Sequence, residues 1–281
     1  MPNERLQRLL EKVGEVCPVP EAATRVMSVA GDQRANVRQV AEAIAVDPGL
    51  AAQLMRIANS SAFGMSGRIR DLEHAVAVVG LGEIRDMAAA MAMLAAFRSH
   101  NELAPQLHAV CVLTGALARR LAKELQGVSR SEAFLCGLLS EVGAMACLSV
   151  DDNGYLQLWH QAGGNLFLRT ELERHRYGGC SYEIGARLLA RNNLPADVCE
   201  AVGTSSDRHP STWSVLGRLT VFARVTAPQL VHAIRAGAVN ELPLTLVQTA
   251  AACGLPGSPD HLLQIALEAG TNAEQALRQS A

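Results

Sequence analysis

The 281 residues are 49% hydrophobic, 4% aromatic and 19% charged, with a formal net charge of −2. A chain of this length and balance has a large core available and shows no basic run of the kind that tracks a phosphate backbone. No run of about 18 purely apolar residues occurs, so no membrane span is expected.

The N-terminal stretch MPNERLQRLLEKVG carries acidic residues and lacks an apolar centre, so it reads as a helix rather than a signal peptide. The seven cysteines are odd in number and form no CxxC, which predicts free thiols and a cytoplasmic location. From there the pattern is helical almost throughout. Pro20 opens EAATRVMSVAG, which Gly31 closes. Asn36 precedes VRQVAEAIA, Asp47-Pro48 precedes GLAAQLMRIANS, and Asp71 precedes LEHAVAVV; each has N-cap chemistry. Leu50, Leu54, Ile57 and Ala58 fall on one helical stripe, as do Ile84, Met87, Met91 and Leu94. Leu135, Leu138, Val142 and Met145 form a third, predicting a single buried helix that holds Ser140 and Glu141 side by side. Pro228 is expected to break the helical run VTAPQLVHAIRAG. No convincing strand emerges.

AVAVVGLGEIR imitates a dinucleotide-binding loop. A third glycine is missing, Arg85 standing in its place, and the flanking spacing is helical, so a helix–turn–helix corner is expected. The segment EIRDMAAAMAML presents too few polar side chains to read a major groove. No two of the eight histidines stand three or four apart, so no single helix offers a paired metal face.

Two blocks carry a family resemblance. DPGLAAQLMRIANSSAFG with LEHAVAVVGLGEIRDM, and EAFLCGLLSEVG with ELERHRYGGCSYEIGARLLARNNLP, resemble the HDOD domain, the HD-related output domain of bacterial signalling proteins. The likeness runs from about Cys17 to Ser206. It implies an all-α, HD-domain-like multi-helix bundle in two packed helical subdomains. Residues 1–16 are expected as an N-terminal helix and 17–210 as the HDOD domain, with parts 17–100 and 106–210. Residues 211–281 are expected as a helical extension.

HD enzymes gather His and Asp around one or two metals that activate water. The resemblance puts those ligand positions at Val110, Ser140, Glu141, Ser181, Ser205, Ser206 and Arg224. His108 lies two residues from Val110, rotated about 200° around the helix. Such residues grip a divalent cation poorly, so neither a metal nor another cofactor is expected, and no catalysis. Glu141 is expected to pair with Arg224 in a hydrogen-bonded patch.

What the resemblance implies is a cytoplasmic regulator or adaptor acting in motility, stress or second-messenger signalling through other signalling proteins on separate chains. No nucleic acid or membrane partner is expected, and an apolar helical surface is compatible with a homodimer. The candidate interaction surface is Asn59, Ser60, Phe63 and Arg68. Two alternatives stay open: a metal-dependent phosphohydrolase with atypical ligands, and a sensor holding a nucleotide in the remodelled pocket.

Overall fold

The computed structural model describes residues 2–17, 25, 29, 34–59, 68–97, 101–192, 194–204, 212–236, 244–255, 258, 260–262 and 264–268. Among these residues every regular element is helical and no strand occurs. Two compact units emerge. One joins residues 1–18 to 97–270; the other joins 19–96 to 271–281.

The helices described in the smaller unit are α2 (Val37–Ala45), α3 (Pro48–Ala58), α4 (Leu72–Val79) and α5 (Leu81–Ala96). The starts follow from local chemistry. Asn36 Oδ1 accepts the Gln39 N–H at 3.0 Å and Gln39 returns the bond to the Asn36 N–H at 2.9 Å. Asp47 accepts from the N–H groups of Gly49 and Leu50 behind a first-turn Pro48. Asp71 accepts from His74 at 2.7 Å. Gly80, at φ 110°, closes α4 in a conformation that other residues rarely adopt, and α5 starts at the next residue. The glycine-bearing corner therefore joins two helices, and no strand precedes it. The expected stripes are buried: Leu54, Ile84, Met87 and Met91 are at most 1% exposed. Pro20 and Gly31 lie outside the described residues.

The larger unit begins with α1 (Pro2–Val16), whose stripe Leu6, Leu9, Leu10 and Val13 is buried. Then come α6 (Leu103–Leu121), a short 3-10 turn at Ala122–Glu124, α7 (Arg130–Leu138) and α8 (Val142–Val150). After these follow α9 (Asp152–Ala162), α10 (Leu166–Tyr177), α11 (Ser181–Arg191), α12 (Ala196–Gly203), α13 (Val215–Ala236) and α14 (Leu244–Cys253). α1 packs on α8, α10 and α11, with Arg5 donating to the His175 carbonyl at 3.0 Å. The N-terminal helix thus belongs to the same compact unit as residues 97–270, as does the described part of the C-terminal extension. All seven cysteines are free, buried and in this unit.

Two glycines allow close backbone approach. A Cβ on Gly137 of α7 would lie 2.5 Å from the Gly115 Cα of α6. A Cβ on Gly143 of α8 would lie 1.9 Å from the Ser181 carbonyl oxygen at the start of α11. Sterics alone forbid both.

Two sequence expectations need correction. The stripe Leu135, Leu138, Val142 and Met145 is buried as expected, but the helix is not continuous. Residues 139–141 form a turn between α7 and α8, with Leu139 near φ −93°, ψ 2° and Glu141 near φ −111°, ψ 15°. The stripe stays buried although Leu139 and Glu141 leave the α region at the turn. The segment Arg130–Val150 is long and apolar enough to cross a membrane by composition, yet its most apolar window is 89% buried inside the fold. Pro228 does not break α13, which runs through it from Val215 to Ala236. Packing of that helix against α6, α7, α12 and α14 outweighs the one backbone hydrogen bond that proline removes.

Candidate functional site

The α7–α8 turn delivers Ser140 and Glu141 into the centre of the larger unit, where they are 1% and 2% exposed. α10 brings Arg169 and Glu173, one helical turn apart and equally buried. Its start is set by Asn165, which accepts the Leu168 N–H at 3.1 Å. α9 adds Tyr155 and Trp159, and the first turn of α11 adds Ser181 and Tyr182.

These side chains converge on one guanidinium. Arg169 Nη2 lies 3.2 Å and 3.1 Å from the two carboxylate oxygens of Glu141. Its Nε lies 3.6 Å from Glu173 Oε1. The same Nη2 reaches the Tyr182 hydroxyl, and the guanidinium stands over the rings of Trp159 and Tyr182 at 5.1 Å and 5.3 Å. Glu173 accepts from the Tyr155 hydroxyl at 2.7 Å and from the Ser181 backbone N–H at 2.7 Å. The arrangement is a closed ionic knot spanning three helices and one turn.

Burial pushes the Glu173 carboxyl above its ordinary value, and Arg169, Ser181 and Tyr155 offset this only in part. Burial also raises the Tyr155 and Tyr182 hydroxyls, so both stay protonated, the first donating to Glu173 and the second accepting from Arg169. Burial by itself would lower the Arg169 value; the charge of Glu141 and its neighbours reverses that and holds the cation.

Each residue singled out from sequence has a definite place or lies outside the described residues. Ser140 Oγ and Ser181 Oγ are buried with no hydrogen bond of good geometry among the described residues. Val110 is half-buried, and its carbonyl accepts from Thr114 Oγ1 at 2.7 Å. Its neighbour Cys111 is the α6 side chain that meets Ser140 and the Glu141 backbone. Burial, with the Glu141 charge beside it, raises that thiol well above its ordinary range. His108 Nδ1 bonds to the Ala104 carbonyl of its own helix at 2.9 Å, as its rotation from Val110 anticipates.

The expected pair of Glu141 and Arg224 is corrected. The buried ion partner of Glu141 is Arg169. Arg224 donates instead to the carbonyls of Val202, at 3.1 Å, and Thr204, and lies 3.5 Å above the Tyr182 ring. It caps the C-terminal end of α12, whose last carbonyls have no intrahelical donor. Reading the sequence missed Arg169 because LFLRTELERHRY looks like a solvated face. The readable signal was the opposite charge of Arg169 and Glu173 at a four-residue spacing.

In the smaller unit, Asn59 is a structural staple. Its Nδ2 donates to the Ile69 carbonyl at 3.0 Å and its Oδ1 accepts the Ile69 N–H at 2.9 Å. Arg68 is exposed beside it. Ser60, Phe63, Ser205 and Ser206 lie outside the described residues.

The donor set in the knot does not fit a divalent cation. Ser140 and Ser181 bring no charge, and the Glu141 carboxylate is held by a guanidinium. Among the described residues no three His, Cys, Asp or Glu side chains converge as metal ligands.

Comparison with known proteins places this geometry. A curated protein of Treponema pallidum (strain Nichols), itself uncharacterized, is 24% identical over 199 residues. That match covers 69% of this chain but 38% of the relative, so the chain spans well under half of that protein's length. A solved structure from Shewanella amazonensis SB2B, provisionally named a phosphohydrolase, matches with a TM-score of 0.74 at 22% identity. It covers 96% of this chain and 97% of its own. A provisionally named signal transduction protein of Marinobacter aquaeolei VT8 matches with a TM-score of 0.71 at 19% identity, over 99% of this chain and 64% of its own. At these identities the likenesses establish the fold. The HDOD domain model matches residues 16–207, most of the chain and within a residue of the span expected from its motifs, so this chain belongs to the HDOD domain family.

Proposed function

We propose that the chain is a non-catalytic signalling regulator, acting in the cytoplasm by binding other signalling proteins on separate chains. One observation carries the reading: the Glu141 carboxylate, which the family resemblance puts where HD enzymes hold a metal, is buried against Arg169. A guanidinium fixed there supplies the positive charge that a catalytic cation would bring, but it offers no exchangeable water to activate. Ser140 and Ser181, at the other ligand positions described, add no charge. The signal-transduction name of one structural neighbour agrees with this reading. Motility, stress and second-messenger pathways are the settings in which we place such a regulator.

The test is metal analysis of the purified chain alongside hydrolysis of a phosphodiester, with and without added manganese and iron. The expected result is substoichiometric metal and no turnover above buffer. Stoichiometric iron or manganese, with turnover lost in Glu141→Gln, would overturn the proposal and make the chain a phosphohydrolase.

A further inference from the structure

α11 has two polar faces. Ser181 and Tyr182 turn into the knot, whereas Glu183 and Arg187 line a cleft of about 520 Å³ bounded by α1, α12 and the segment before α13. The floor is set where Gly203 of α12 meets Ala186 of α11; a Cβ on that glycine would lie 2.8 Å from the alanine Cβ. Leu6, Glu200, Thr204 and Trp213 complete the wall. A cleft of this volume falls in the range that holds small ligands.

The polar groups lining it are not equally available. Glu183 Oε2 accepts the Cys180 N–H at 3.2 Å and its Oε1 lies 3.6 Å from Arg174. Thr204 Oγ1 donates to the Glu200 carbonyl at 2.9 Å. Three groups remain. Trp213 is 8% exposed, and its indole N–H has no acceptor among the described residues. Arg187 and Glu200 are exposed and form no ion pair among the described residues. Proteins leave few buried N–H groups without an acceptor, and each one calls for a partner.

We propose that this cleft binds a small molecule that carries an oxyanion, phosphate or carboxylate, together with an N–H-bearing group. Trp213 Nε1 and the Arg187 guanidinium donate to the oxyanion, and the Glu200 carboxylate accepts from the N–H group. One cation and one anion without an ion partner among the described residues favour such an amphoteric ligand over a simple anion or a simple amine. The site uses none of the side chains of the knot, so it stands whether or not the chain is catalytic. It gives the domain a small-molecule input.

The chain contains two tryptophans, so Trp159→Phe leaves Trp213 as its single indole and a direct reporter of occupancy. The 281-residue chain is titrated with inorganic phosphate, AMP, GMP and L-glutamate, followed by Trp213 emission. Calorimetry on the unsubstituted chain gives the same reading without the Trp159 change. Saturable binding of at least one probe is expected, weakened about tenfold by Arg187→Gln and by Trp213→Phe. The unliganded melting temperature of Arg187→Gln should stay that of the wild type. Nucleotides binding and glutamate not would assign the oxyanion to a phosphate; the reverse would assign it to a carboxylate. No binding of any probe, or binding that survives both substitutions, would overturn the proposal.

Discussion

The two units build their interiors differently. Every buried side chain described between residues 34 and 97 is apolar, and polar groups there work at helix ends. The larger unit encloses Ser140, Glu141, Arg169, Glu173, Ser181 and Arg224 at 3% exposure or less. An apolar interior needs only the right volume and pattern, so many sequences can supply it. An ionised interior needs each charge met by a specific partner, because an unpaired buried charge costs several kcal/mol. Among the described residues, the buried ionic groups all lie in the larger unit.

The strongest way to break that contrast is Arg169→Met. It would leave Glu141 and Glu173 as buried carboxylates without their cation and should cost about 3–5 kcal/mol in urea unfolding. Adding Glu141→Gln and Glu173→Gln should recover most of the loss. An unchanged midpoint for the single variant would remove the knot from the list of stabilising features. Gly143→Ala should follow, at about 1–3 kcal/mol, because the added methyl meets the Ser181 carbonyl and forces α8 from α11. For the apolar unit the matching probe is Asn59→Ala. It strips the Ile69 N–H and carbonyl of their side-chain partner, and about 1–2 kcal/mol should be lost by the same measurement.

The smallest effect tests a charge outside the knot. Burial alone would raise the Asp151 carboxyl, but hydrogen bonds from Arg176, at 2.6 Å, and Tyr177, at 3.0 Å, outweigh it and hold the value below the usual range. The folded state therefore binds this proton less readily than the unfolded chain. The stabilisation is present above the ordinary carboxyl range and is lost as pH falls through the depressed folded value. Asp151→Asn should cost no more than about 1 kcal/mol at neutral pH, since Arg176 is half-exposed. Melting curves of variant and wild type should converge in acid. A gap that persisted below the folded value would assign the effect to packing instead.

Local chemistry was the legible part of the sequence. The caps at Asn36, Asp47 and Asp71 and the stop at Gly80 each depend on a few neighbouring residues, and each forms as expected. Ordered motifs gave the family and the position of Ser140 and Glu141. What stayed hidden depends on partners far along the chain. Arg169 finds Glu141 across 28 positions, and Arg224 finds the Val202 carbonyl across 22. The α7–α8 turn was hidden for another reason: every side chain around it is buried, so hydrophobic spacing carries no mark of the interruption. Pro228 misled because a local rule was overridden by neighbouring helices.

The distribution of sulfur gives the molecule an internal gauge. Because every thiol sits in the larger unit, labelling by a thiol-specific reagent reports on that unit alone: Cys199, at the wall of the cleft, reacts first, and the fully enclosed Cys111, Cys136, Cys147 and Cys180 react only as the unit breathes. The time course of labelling, read by mass, would follow the opening of the knot-bearing half alone, while the sulfhydryl-free half contributes no signal.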